Sequence, residues 1–141
     1  MELKHDCVRE VLICLEKVCL LKSDLSYSDT NLGTVCSMLP QYQKDDIFYT
    51  LVKLYEGGYI DMDYAMLPSG GVRHMQINSL TWSGHELLDS IRPEGVWSRI
   101  KDISSRAGGF SIKTMGYLGS LIVNNYISGL NLAEIAKECF K

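Results

Sequence analysis

The stretch Lys44-Asp-Asp-Ile-Phe-Tyr-Thr-Leu-Val-Lys-Leu-Tyr-Glu56, followed by Gly57-Gly58 and Tyr59-Ile-Asp-Met-Asp-Tyr-Ala-Met66, holds a change of hydrophobic period that decides the fold. Up to Glu56, the apolar residues Ile47, Leu51, Leu54 and Tyr55 recur at three- and four-residue spacing, which marks one face of a helix. Asp45 and Asp46 sit in its first turn, where the helix dipole favours negative charge. Gly57-Gly58 ends it, glycine being the usual residue past a helix C-terminus. The period then drops to two: Ile60, Met62 and Tyr64 alternate with Asp61 and Asp63. Pro68-Ser-Gly-Gly71 reads as a turn, and the β-prone run Val72-Arg-His-Met-Gln-Ile77 returns. The stretch therefore predicts a helix running into an antiparallel hairpin.

On the N-terminal side, Cys7, Val11, Cys14, Leu15 and Val18 predict a helix over residues 6–21. Residues 23–28 are polar and break the pattern. Asp29 or Thr30 is placed to cap a second helix carrying Leu32, Val35, Cys36 and Leu39, which Pro40 stops. Three helices followed by a hairpin is the order of a winged helix-turn-helix. On the C-terminal side, Thr81 or Ser83 caps a helix with Leu87, Leu88 and Ile91 on its apolar side, and Ser83 with Glu86 fits a capping box. Pro93 opens another, with Val96, Trp97, Ile100 and Ile103, ending at Gly108-Gly109. Ser111 caps a third, with Ile112, Met115, Leu118, Ile122 and Tyr126, in which Gly116 and Gly119 weaken the helix or mark close contact. A last short helix is expected from Asn131, with Leu132, Ile135, Ala136 and Cys139. The expected fold is α+β and mainly helical: a winged helix-turn-helix over residues 1–92, with a helical extension over 93–141 that packs on it or mediates dimerisation.

A chain of 141 residues, 46% apolar and 22% charged, is one ordinary globular domain. Its net charge of −3 removes the simplest sign of a nucleic-acid binder, a strongly basic domain. Five cysteines (Cys7, Cys14, Cys19, Cys36 and Cys139) form no C-x-x-C pair, so no zinc site is expected. Their odd number suits reduced thiols in a cytoplasmic protein. Residues 1–6 lack a signal-peptide apolar region, and the longest apolar run, residues 117–127, is too short and polar to span a bilayer. The histidines are His5, His74 and His85; H-E-x-x-H fails because position 89 is Asp89. Neither a phosphate-binding loop nor a nucleophile elbow occurs. No enzyme activity, cofactor or metal is expected.

The run Leu80-Thr-Trp-Ser-Gly-His-Glu-Leu-Leu-Asp-Ser-Ile-Arg92, followed by Val96-Trp97-Ser98, resembles the hallmark of a family of short uncharacterised proteins from bacterial prophages and mobile elements. His5-Asp-Cys-Val-Arg9 and Lys53-Leu-Tyr-Glu-Gly-Gly-Tyr-Ile60 resemble it too, and the likeness covers most of residues 3–110. It implies a winged-helix fold and no established chemistry, so no catalytic residue follows from it. Physically, Thr81 and Ser83 offer capping oxygens, Gly84 allows close approach to the hairpin, and His85 caps or packs. Trp82 and Trp97 are expected to bury large areas.

A winged helix binds DNA by setting its third helix in the major groove and its wing beside a phosphate strand. Gln41, Gln43, Tyr49, Thr50 and Lys53 would then read bases or phosphates, with Arg73 on the wing and His74 beside it. Charge opposes this. Residues 44–56 carry two basic and three acidic side chains, and the hairpin is also −1 with His74 neutral. Residues 1–78 hold seven basic and eleven acidic side chains, a net of −4, whereas residues 79–141 are +1. The basic residues Arg92, Arg99, Lys101, Arg106 and Lys113 lie later, as a solvated helix face or a surface for nucleic acid or an acidic partner. Tyr42, Tyr49, Tyr55, Tyr59 and Tyr64 cluster around the third helix and hairpin, a residue type enriched at protein interfaces. Two readings follow: a DNA-binding regulator contacting double-stranded DNA, dimeric through its C-terminal helices, or a winged-helix module that binds a host, phage or defence protein without DNA.

Overall fold

The computed structural model describes residues 1–128. Its elements are α1 (His5–Val18), α2 (Leu32–Met38), α3 (Lys44–Glu56), β1 (Ile60–Met66), β2 (Val72–Leu80), α4 (Trp82–Ile91), α5 (Glu94–Ala107) and α6 (Ile112–Ser128). The short helix expected from Asn131 lies outside the described residues, as do the side chains of Tyr126 and Ile127. The architecture is α+β and mainly helical, with a two-stranded antiparallel sheet. The chain divides into two compact units, Met1–Leu88 and a second beginning at Asp89.

In the first unit, α1 packs on α3 and β2, and α2 packs on α3. The core takes in most of the stripes that the periodicity marks, namely Cys7, Val11, Cys14 and Leu15 of α1, Val35 of α2, Ile47, Leu51 and Leu54 of α3, and Ile60, Met62, Met75 and Ile77 of the sheet, with Val8 and Leu12 of α1 added to them. Burying such side chains is the main stabilising term, at roughly 1.5–3 kcal/mol each relative to exposure. α3 has the bounds its sequence predicts, with Gly58 at φ +80° beyond its end. β1 pairs with β2 from Ile60 opposite Leu80 to Met66 opposite Val72, and the register slips after Asp61 and after Ala65.

Two boundaries differ from expectation. α1 stops at Val18, not residue 21, because Cys19 is extended and the chain then doubles back. Leu21 pairs across a bridge with Tyr27, and the Ser28 amide donates to the Leu20 carbonyl at 2.8 Å. Asp24 holds the turn by accepting from the Ser26 hydroxyl (2.6 Å) and amide (3.0 Å), which keeps its carboxyl below the usual range. The cap of α2 is Asn31, neither Asp29 nor Thr30. Thr30 is buried and its carbonyl accepts from the Ile77 amide at 2.8 Å, so it is committed to the sheet. Asn31 instead accepts from the Thr34 amide (3.1 Å) while its own amide donates to the Thr34 hydroxyl (3.2 Å), a reciprocal capping box.

Leu25, at the tip of the 20–28 turn, has φ +68° and is 78% exposed. A branched side chain in the left-handed region costs about 1–2 kcal/mol, and asparagine tolerates it better. Leu25→Asn is therefore expected to stabilise the protein by about 1 kcal/mol, read as a higher urea midpoint. An unchanged or lower midpoint contradicts the strain.

The run Leu80–Arg92 builds the junction after the sheet. Thr81 caps α4, its hydroxyl accepting from the Gly84 amide at 3.1 Å and donating to the Gly58 carbonyl. Ser83 lies inside the first turn, so the Ser83–Glu86 capping box does not form. Glu86 accepts instead from the Trp82 indole N–H at 2.8 Å. Trp82 is 81% exposed, contrary to expectation, because at the first position of α4 it lies along the outside of its own helix. His85 is also exposed, and the cap of α4 is Thr81.

In the second unit, α5 packs on α6. Pro93 precedes α5, and Gly108 ends it at φ +83°. Trp97 is 4% exposed, and Trp97, Ile100 and Ser104 form the inner stripe; Ile103, expected there, faces outward. Ser111 caps α6 by accepting from the Thr114 amide at 3.1 Å. A Cβ on Gly119 would overlap the Ser90 carbonyl, so this glycine does mark a close approach.

Candidate functional site

The structure places the side chains expected to read DNA in different settings. Thr50 is 1% exposed; its hydroxyl donates to the Asp46 carbonyl at 2.7 Å and lies 3.4 Å from Cys7 Sγ. It belongs to the core and is withdrawn from any nucleic-acid contact. Lys53 is half-exposed, and its ammonium donates to Glu56 at 2.8 Å while lying 5.4 Å from the centre of the Tyr49 ring. The Glu56 hydrogen bond and charge raise the Lys53 pKa. Gln41 and Gln43 are exposed before α3, and Arg73 is exposed at the start of β2. On the hairpin, Asp63 takes His74 at 3.4 Å and Asp61 accepts from Asn78 at 3.0 Å, so its solvent side presents carboxylates. Asp46 is paired with Lys4 at 2.9 Å.

α3 carries a second apolar stripe that the sequence reading passes over. Phe48 and Val52 are only half-buried, and with Tyr55 they follow one another at i, i+4 and i+7. Tyr55 meets Tyr64 of β1 edge-to-face, ring centroids 5.9 Å apart. The signal was legible: α3 is apolar at 47 and 48, at 51 and 52, and at 54 and 55, one stripe more than a single core contact requires. Phe48 opens into a groove of about 790 Å³ between the start of α3, the start of α2 and the hairpin end. Leu32, Phe48, Met66 and Val72 make its walls apolar, and Gln43, Lys44 and Asp45 place polar groups on its margin. Met66 is 45% exposed there, and Leu67 beside it is exposed too. An open apolar groove with a few convergent polar groups is the usual form of a binding site.

Among the described residues of the second unit, Arg92, Arg99, Lys101, Arg106 and Lys113 are exposed. Arg92 pairs with Asp89 at 3.2 Å and Arg106 with Asp102 at 3.3 Å, both within single helical turns or next to one. Arg99 and Lys113 make no ion pair among the described residues. On α6, Tyr117 and Leu121 lie one turn apart and exposed, whereas Met115 is buried.

The thiols are placed for packing. Cys7 and Cys14 are buried, Cys19 and Cys36 half-buried, and all four are free. Burial pushes each thiol up, Cys19 to about 11, so they stay protonated near neutrality and are poor nucleophiles. Among the described residues no cluster of histidine, cysteine or carboxylate side chains fits a metal ion. Among them, too, no helix is long and apolar enough to cross a membrane.

Residues 2–111 match a family described as "Hypothetical protein (DUF2513)". A protein of Haemophilus influenzae described as "Uncharacterized protein" is 25% identical over 130 residues, covering 91% of this chain and all of that one. No solved structure matches. The family match runs from α1 through α5 to the cap of α6, and the chain belongs to the DUF2513 family.

Proposed function

We propose that the chain is a winged-helix interaction module whose working surface is the groove between α3 and the hairpin end, and that this surface takes an apolar segment of a partner protein with a basic flank. The observation carrying this reading is the groove itself, walled by Leu32, Phe48, Met66 and Val72 where a DNA reader would show cations. Removing apolar surface from water drives such contacts. The basic flank follows from charge: Met1–Leu88 carries seven basic and twelve acidic side chains, and Asp45, Asp61 and Asp63 are exposed in α3 and β1. The homodimer expected through the C-terminal helices belongs to the same proposal, with Tyr117 and Leu121 its exposed α6 residues.

Selection of a random peptide library on the full chain tests this. Peptides pairing large apolar residues with lysine or arginine are expected, and Met66→Glu should weaken them by about tenfold or more, a charge then facing desolvation in the groove. Peptides indifferent to Met66→Glu would contradict the reading.

Double-stranded DNA on α3 is the second reading. The α2–α3 order, the exposed Gln43 and Arg73 and the half-buried Tyr49 and Lys53 favour it. A mobility shift at low salt that Lys53→Glu abolishes would establish it in place of the first.

A further inference from the structure

We infer that the outer face of α5, in the second unit, binds the phosphate backbone of double-stranded DNA. Trp97, Ile100 and Ser104 turn inward, which leaves Ser98, Arg99, Lys101 and Arg106 exposed on the rest of the helix. Arg99 and Arg106 are seven residues apart, so they share a face and stand roughly 10.5 Å apart along the axis, far enough to reach different phosphates of a duplex. Arg92 before α5 and Lys113 after it add two more exposed cations. Residues 89–128 hold five basic and three acidic side chains, against the net negative charge of Met1–Leu88.

The pairs in this unit do not cancel the face. Asp102 neutralises Arg106 at 3.3 Å through water-exposed atoms, with 79% and 60% of the two side chains accessible, and a phosphate can replace such a partner readily. Arg99 and Lys113 have no such partner among the described residues. Guanidinium groups and serine hydroxyls are donors typical of phosphate contacts, and those contacts position a duplex without reading its sequence. The expected mode is therefore salt-dependent and indifferent to sequence. It is separate from the groove of the first unit and does not depend on it.

The test is fluorescence anisotropy of the full chain with a labelled random-sequence duplex, from about 50 to about 200 mM salt. Wild-type binding is expected to weaken steeply with salt. Arg99→Glu combined with Lys113→Glu should lower affinity by at least about tenfold at the low end, and the milder Arg99→Ala with Lys113→Ala should flatten the salt slope by about two. Lys53→Glu should change affinity less than about twofold, since it acts on the other unit. Circular dichroism confirms that each variant is folded. No binding at low salt overturns the inference, as does loss through Lys53→Glu with the α5 variants unchanged. Displacement by polyglutamate as effective as by unlabelled duplex would assign the face to acidic proteins and overturn it as well.

Discussion

Replacing Gly84 by alanine is expected to destabilise the protein by about 3 kcal/mol, the upper range for forcing atoms into a filled space. A Cβ at this position would overlap the Tyr59 carbonyl oxygen and sit 3.3 Å from Cβ of Leu80. That carbonyl is fixed, because it accepts from the Thr81 amide at 3.0 Å. The first turn of α4 is itself held by the Thr81 hydroxyl, which bonds both Gly84 and Gly58. Helix and strand entry would have to separate, breaking the bonds that join them. Urea denaturation followed by circular dichroism reads the loss, and a change of less than about 1 kcal/mol would show that the junction yields easily. Gly58, with open space around its missing Cβ, would be strained only by its φ of +80°, a smaller effect than the collision at Gly84.

The two tryptophans should behave in opposite ways. Trp97→Ala is expected to cost about 3–5 kcal/mol, the usual loss when a large aromatic leaves a cavity. Its side chain is almost wholly buried in a small unit that has few alternatives, with Ile91, Ile100, Ser104 and Met115 among its other buried members. Trp82→Ala should cost no more than about 0.5 kcal/mol, because only a surface hydrogen bond to Glu86 is lost. Intrinsic fluorescence supplies an independent check: each variant leaves one emitter. The Trp97 signal should be blue-shifted and shielded from iodide, and the Trp82 signal quenched as an exposed indole. Equal costs or equal quenching would contradict the placement.

Much of the fold was legible because it depends on local rules. α3 has its predicted ends, Pro40 stops α2 one residue after its cap, and Ser111 caps α6. Gly84 could be assigned to close approach because it stands in the first turn of a helix that directly follows the hairpin. What was missed lies where a polar residue is used as packing or an apolar one as surface. Thr50 sits at i+3 from Ile47 and i+4 to Leu54, on the core stripe by spacing alone. Counting only apolar residues hid it, although a threonine hydroxyl bonded to the carbonyl four residues back can be buried with its polar group satisfied. Ser104 replaced Ile103 on α5 in the same way. Trp82 was misplaced because residue size was read as burial, whereas direction at a helix start is set by the turn before it. The groove depends on a hairpin end bending over the start of α3, a tertiary relation that periodicity does not carry. The two apolar stripes of α3 were its one trace in the sequence.

The central claim is that the α3–hairpin face receives a protein segment and does not read DNA. The most direct measurement is an amide chemical-shift map of the full chain titrated with a peptide selected on it. Shifts are predicted to gather on Leu32, Phe48, Met66 and Val72, around the groove. Shifts that leave these four unmoved, with Gln43, Tyr49, Lys53 and Arg73 instead responding to a DNA duplex, would contradict the account.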